Sequence, residues 1–360
     1  MSCCFLSRIR CFSLLSKGRG YSSRSVANRS IGRDDFELFL ERDLGDKVYG
    51  IATEQHRSKL KKAYDDIRRA INSNSDVRIC AIGSFAVGSC TSKSDLDLLY
   101  VPFVKNNKGD VKRAEYRRMF ETQPSFKRTQ MYTCSSKLER LGIVKKAPIV
   151  LSQCNVPIIK GITRSGINFD IQFGSTECLH STNFVRTAFQ LEPRLVIVYH
   201  WLRGILDRYE LFGGFNGLFT SFHIYMLVIY FAQAMNVLPV LMEAYPCLLS
   251  PEQSWKIIAH SIDTNENTVE PHPSVERSTI SLIEDMINFY SSIDFTTNSL
   301  NVGTTERIQR ATNKLLLIEP FHDQVNGICG VKNGAALMNK VFSKAKDAID
   351  TGGWSRLLVK

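Results

Sequence analysis

No C-x-x-C pair occurs anywhere in this 360-residue chain. Its cysteines are scattered as Cys3-Cys4, Cys11, Cys80, Cys90, Cys134, Cys154, Cys178, Cys247 and Cys329. That spacing excludes the common structural zinc sites and offers no disulfide framework. Most of these thiols are expected to be small buried hydrophobes in a reducing compartment. A membrane span is lacking too. The longest apolar stretch, LFTSFHIYMLVIYFAQAMNVLPV, is interrupted by Ser221, His223, Gln233 and Asn236 and has no second span after it, so it reads as a buried helix. There is no internal repeat, no long low-complexity tract and no RNA-recognition module signature.

Acidic residues are missing from the first 30 positions, which hold Arg8, Arg10, Lys17, Arg19, Arg24 and Arg29 among many serines. With apolar Phe5, Leu6, Ile9, Phe12, Leu14 and Leu15, this composition predicts a mitochondrial transit peptide over residues 1–30 and a matrix location. A disordered basic tail is the alternative. Arg19-Gly20-Tyr21-Ser22 resembles a matrix-peptidase cleavage pattern. The whole chain carries a net charge of +11, of which this leader supplies a large part. A hydrophobic content of 44% and a charged content of 22% are ordinary for a globular protein, and the length allows one large or two ordinary domains.

The chemistry is concentrated in IGSFAVGSCTSKSDLDLLYV, residues 82–101. In extended chain, Asp95 and Asp97 point to one face while Leu96, Leu98 and Tyr100 point to the other. Like charges that close raise each other's pKa unless something positive lies between them, either a basic side chain or a divalent metal. Carboxylate oxygens suit Mg2+ or Mn2+, which serve phosphoryl transfer. A solvated strand end has the same local pattern. Upstream, a β-branched strand ends at Gly83-Ser84, where a glycine lets backbone approach a ligand and the N–H groups and hydroxyl at a helix start cradle phosphate. A third carboxylate stands in INFDIQFG: Asp170 shares its alternate face with Asn168 and Gln172, so its convergence with Asp95 and Asp97 is expected, and the wet face of an edge strand is the alternative.

Organisation follows from periodicity. Apolar positions at Leu60, Tyr64, Ile67 and Ile71 predict a helix before the strand at 77–82, with further strands at 96–101 and 167–173. This gives an α+β catalytic domain over residues 60–180, a small mixed sheet with helices. It contains a basic insertion near 105–147, read equally as a helical element, an RNA-touching arm or a solvated loop, and as the default RNA contact. Residues 181–360, joined by 31–59, are predicted to form a helical domain, with helices near 193–211, 218–236, 251–262, 275–291 and 331–349.

G-S-x-x-x-G followed by S-D-L-D-L-L, then VPIIKGITRSGINFDIQFG, LHSTNFVRT, PRLVIVYHWLRG, GLFTSFHIYMLVIY, MINFYSSIDF and IEPFHDQVN, resembles the DNA-polymerase-β-like nucleotidyltransferases over roughly residues 45–345. Within them the chain is most similar to terminal uridylyltransferases and non-canonical poly(A) polymerases, and especially to the small kinetoplastid mitochondrial uridylyltransferases associated with an editosome-like complex. The resemblance implies an active site in the cleft between the two domains. There Asp95, Asp97 and Asp170 act as metal ligands, Gly83 and Ser84 as the phosphate-binding pair, and UTP and a single-stranded RNA 3′ end as substrates, with an editosome-like complex as a possible partner.

The resemblance also marks departures. Where relatives present two lysines one turn apart to the phosphates, this chain has Tyr199 and Arg203; Arg203 retains a phosphate grip and Tyr199 offers only a hydroxyl. Ser181, beside Thr182, replaces a ribose-reading asparagine. Ser221 matches the family serine, and Phe222 replaces a base-stacking tyrosine. Glu319 and His322 stand for two acidic residues at the base edge, with Glu319 the candidate acceptor for the uracil N3–H, while Val325 occupies the position of a histidine credited with excluding adenine. A mitochondrial poly(A) polymerase and a catalytically silent RNA-binding or assembly subunit are the competing functions.

Overall fold

The strand that carries the first carboxylates alternates only at its start. Leu96 is buried and Asp97 half-buried, but Leu98 to Val101 are all buried, so β2 (Leu96–Pro102) is covered on one face at its beginning and on both faces further on. Asp97 sits where the second cover ends. The computed structural model describes residues 31–72, 77–102, 118–154, 156–213, 218–266, 268–271, 277–309, 317–318, 320 and 333–359. The transit-peptide expectation therefore lies outside the described residues.

β2 pairs antiparallel with β1 (Val77–Ala81) and parallel with β5 (Asn168–Gln172); β4 (Ile158–Ile162) and β3 (Ile149–Leu151) complete a mixed sheet in the order β1-β2-β5-β4-β3. Leu96, Leu98 and Tyr100 point to the same face as Phe169, Ile171 and Phe173, and that face is filled by Tyr64 and Ile67 of one helix and Met131 and Leu138 of another. The first is α3 (Ile51–Asn72), which follows α1 (Arg33–Leu38), a π-helical turn at Phe39–Leu44 and α2 (Gly45–Tyr49). The short α4 (Gly83–Val87) then leads into β2. The second covering helix is α5 (Pro124–Arg140), which lies inside the segment expected as an insertion. From Pro124 on, that segment is a core helix of the domain, because its Met131, Cys134 and Leu138 fall on one side at helical spacing. Residues 103–117 lie outside the described residues.

The opposite face is covered only in part. Leu179 of α6 (Glu177–Leu191) and Ile258 and Ala259 of α10 (Trp255–Thr264) pack on Cys80, Leu99 and Val101 of β1 and β2. Among the described residues, the same face of β5, β4 and β3 carries no such layer.

The helical core is built on α7 (Leu195–Arg208) and α8 (Ser221–Ala234), with α9 (Leu241–Ala244), α11 (Thr279–Ser291) and α12 (Gly334–Asp350) around them. Phe36, Leu40, Leu44 and Val48 of the N-terminal helices belong to this core. α8 is the apolar stretch singled out in the sequence; eleven of its residues, His223 to Gln233, are buried in the core, and among the described residues no helix is long and apolar enough to cross a membrane. The helical domain also holds a three-stranded sheet, β7 (Arg307–Gln309), β6 (Asn298–Asn301) and β8 (Leu317–Ile318) in that order, which helical periodicity did not foretell.

Candidate active site

The carboxylates meet through strand register. Asp97 lies directly opposite Asp170 across the parallel β2/β5 ladder, and the Asn168 amide donates to Asp95 Oδ1 at 3.1 Å. β1 ends against the same point: the Ile82 N–H donates to the Asp97 carbonyl at 3.0 Å, and Gly83 follows at φ +65°. A Cβ on Gly83 would stand 2.4 Å from Asp97 Oδ2. Glycine is therefore required twice, for a left-handed backbone and for the closeness of the carboxylate. Ser84 continues into α4, so Gly83, Ser84, Asp95, Asp97 and Asp170 are brought together at one end of the sheet's partly open face.

The electrostatics are severe. Burial, then the Asp170 and Asp95 carboxylates, push the Asp97 carboxyl up to about 7, and Lys160 opposes this. Lys160 is Asp170's partner across the antiparallel β4/β5 register, with Nζ 2.6 Å from Asp170 Oδ2. Among the described residues no three metal-capable side chains converge closely enough to form a metal site. Lys160 Nζ holds Asp170 Oδ2, and the Asn168 amide holds Asp95 Oδ1. The donor set nonetheless fits a hard divalent cation: all donors are carboxylate oxygens, and a buried aspartate crowded by two others is the environment a dication relieves. Binding through Asp170 Oδ2 requires Lys160 to leave that oxygen.

The helical side is less complete. Ser181 and Thr182 lie on α6, both largely buried, and the Thr182 hydroxyl donates to the Cys178 carbonyl at 2.7 Å. Arg203 on α7 is half-buried, its guanidinium stacked 4.6 Å from the centre of the Phe212 ring. Ser221 opens α8 behind an N-cap at Thr220, and Phe222 is half-buried at the edge of the helical core.

Tyr199 departs from the expectation that it faces the nucleotide. It is 0% exposed and stacked on Tyr225 at 4.3 Å between ring centres, and among the described residues its buried hydroxyl has no partner at good hydrogen-bond geometry. An aromatic ring in place of a lysine joins the core instead of reaching into solvent. Glu319 and His322 lie outside the described residues, as does Val325.

Some residues that matter to this geometry escaped the sequence reading. Lys160 was one lysine in an apolar run. Its signal was positional: a tight turn, closed by the Thr163 N–H to the Ile167 carbonyl at 2.9 Å, folds β4 back on β5 and places Lys160 opposite Asp170. Ser89 follows α4; its hydroxyl lies 2.6 Å from the Tyr225 hydroxyl and its carbonyl 2.9 Å from His200 Nε2. Burial lowers the His200 pKa to about 4, so the ring is a neutral tether between the turn after α4 and the helical core. A cavity of about 630 Å³ lined by Tyr100, Lys127, Phe173, His180 and Trp255 opens beyond the far ends of β2 and β5, away from the carboxylates.

Comparison with known proteins supports the fold. Residues 49–190 match the family described as poly(A) RNA polymerase, mitochondrial-like, central palm domain. Terminal uridylyltransferase 4 of Homo sapiens and of Mus musculus are each 24% identical over 283 residues, covering 73% of this chain and 15% of theirs. The chain thus spans about 15% of the length of these curated relatives. Among solved structures, mtPAP in its apo form superposes with a TM-score of 0.66 at 16% identity, covering 96% of this chain and 80% of that one. The Cid1 poly(U) polymerase gives 0.63 at 16% identity, covering 88% and 94%. The fold is that of the polymerase-β-like nucleotidyltransferases. In that fold, the sheet with its three aspartates forms one half and the bundle around α7 and α8 forms the helical half.

Proposed function

We propose that this chain transfers the nucleoside monophosphate of a nucleoside triphosphate, UTP in preference, to the 3′-hydroxyl of RNA. The observation that carries the reading is the set of Asp95, Asp97 and Asp170 on the open sheet face, pressed against the Gly83-Ser84 turn. A structure of Cid1 poly(U) polymerase bound to Mg-ATP and one of mtPAP in complex with UTP support nucleotide and divalent-cation use in this fold.

Mg2+ or Mn2+, held by these aspartates, supplies charge neutralisation for the attacking and leaving oxygens. The chain's own residues do the rest. Gly83 admits phosphate close to the backbone, and the Ser84 hydroxyl is a further donor there. Arg203 supplies the single cation on the α7 face where two were expected, and Phe222 offers a ring for the base to stack on. The bond formed joins the RNA 3′-oxygen to the α-phosphorus, and the bond broken releases pyrophosphate. UTP preference rests on Glu319 as an acceptor for the uracil N3–H, an arrangement ATP and CTP do not satisfy. In this reading, the acid-free residues 1–30 direct the chain to mitochondria.

The test is incorporation of each of four labelled nucleoside triphosphates onto one RNA primer by the purified chain. Uridylate addition well above the others is expected. A preference for ATP would make the chain a poly(A) polymerase, and no incorporation of any nucleotide would refute the transferase reading.

A further inference from the structure

Among the described residues, the sheet face bearing the carboxylates is sealed over β1 and β2 but not over the other strands. Register puts Ile158, Lys160 and Ile162 of β4, and Ile149 and Leu151 of β3, on the same face as Asp170. None of these four aliphatic side chains joins a core cluster among the described residues, and Ile149 is 58% exposed. This is an apolar shelf with a lysine in its middle, and such a surface on a well-packed protein marks a partner.

Charge selects the kind of partner. Between Ile143 and Gln172 the chain carries Lys145, Lys146, Lys160 and Arg164, all exposed, against a single acid, Asp170. An aliphatic floor with a cationic rim suits a single-stranded polyanion whose bases and riboses lie on the floor and whose phosphates meet the rim. Position supplies the direction: Lys160 touches Asp170, so the shelf begins at the carboxylates and ends at the sheet edge, β3.

We propose that the last nucleotides of the RNA lie across β4 and β3, running outward from the carboxylates to the sheet edge, with Lys160 passing from Asp170 to an RNA phosphate as the strand arrives. This rests on the transferase reading and adds to it a path for the acceptor. The exposed face of α5, with Arg128, Tyr132 and Arg140, is the rival route.

The deciding experiment uses the full chain and an oligouridylate with a 3′-deoxy end and 4-thiouridine at its second and third positions from that end. Photocrosslinked peptides from residues 145–164 are expected; crosslinks confined to 118–140 or to α7 and α8 overturn the proposal. By fluorescence anisotropy, Ile149→Asp and the double variant Lys145→Ala/Lys146→Ala are expected to weaken binding of that RNA about five- to twentyfold while the UTP-induced rise in Tm is unchanged. Lys160→Ala is expected to flatten the slope of log Kd against log salt by about 0.7, one single-strand phosphate contact. RNA affinity within twofold of wild type in all three variants refutes the shelf even if nucleotide transfer is normal. Wild-type crosslinking at 145–164 without any transfer would refute the transferase reading and leave the shelf standing. Because the crosslink is made on the wild-type chain, a variant that fails to fold does not spoil the test.

Discussion

Replacing Asp97 by asparagine should make the cation-free protein more stable at neutral pH and inactive. In the folded chain, burial and the neighbouring Asp170 and Asp95 raise the Asp97 carboxyl from its ordinary 3.8 to about 7. The sign follows from proton counting. Between those two pH values the folded state holds a proton on Asp97 that the unfolded state has released, so stability falls as pH rises through that window and levels off above about 7. A displacement of that size sets a ceiling of roughly 4 kcal/mol, and sharing among three coupled carboxylates brings the expectation to about 2–4 kcal/mol. The asparagine amide cannot ionise. Urea denaturation of both proteins in chelator from pH 4 to 8.5 should therefore give a stability difference that grows in favour of Asp97→Asn and reaches its plateau near pH 7.5. Adding Mg2+ at pH 8 should recover most of the wild-type loss and little in the variant, since only the wild type keeps the full set of carboxylates. Nucleotide transfer should drop at least a thousandfold. A difference that does not change with pH, or a variant less stable than wild type at pH 8 in chelator, would show that Asp97 is not crowded by its neighbours as described.

Other substitutions probe the remaining parts. Tyr199→Phe removes a buried hydroxyl that has no partner at good geometry among the described residues, so Tm should stay level or rise and the UTP KM should remain within twofold; a tenfold rise in KM would put Tyr199 at the nucleotide after all. Gly83→Ala forces a Cβ to 2.4 Å from Asp97 Oδ2 in left-handed backbone and should cost about 1–3 kcal/mol in urea denaturation, with transfer reduced more than tenfold. Phe222→Ala should raise the UTP KM about 5- to 150-fold through lost stacking, and an unchanged KM would remove Phe222 from the base site. Residues 1–30 fused to a passenger should carry it into mitochondria, which fractionation or imaging would check; a cytosolic passenger refutes the leader.

Much of the sheet half is legible in the sequence because strand alternation is a local rule. Asp95 and Asp97 had to share a face once the segment was extended, and Asn168, Asp170 and Gln172 likewise. Register is not local in this sense. That Asp97 lies opposite Asp170, and Lys160 opposite the same residue, depends on where three strands come to rest against one another, and a slip of one residue would turn every one of these side chains to the other face. The apolar layer under the sheet fixes that register: Phe169 fits beside Gly161, where a Cβ would stand 2.4 Å from the Phe169 ring, and only in this pairing. Lys160 thus gains its place at the site from the packing on the reverse side of its own strand.

The helical half shows the opposite limit. Helical periodicity placed α7 and α8 and so put Tyr199 and Arg203 on one face, but periodicity does not say where along that face solvent begins. Tyr199 stacks on Tyr225, whose hydroxyl reaches Ser89 in the turn after α4, while His200, one residue further along α7, reaches the Ser89 carbonyl. The core is therefore extended to Tyr199 by a residue of the sheet half, far earlier in the chain. A lysine at 199 would have had to bury an ammonium among Phe189, His200 and Tyr225 or else break the tether to Ser89. The tyrosine keeps both the core and the tether, and Arg203, one turn on, stays half-buried against the Phe212 ring.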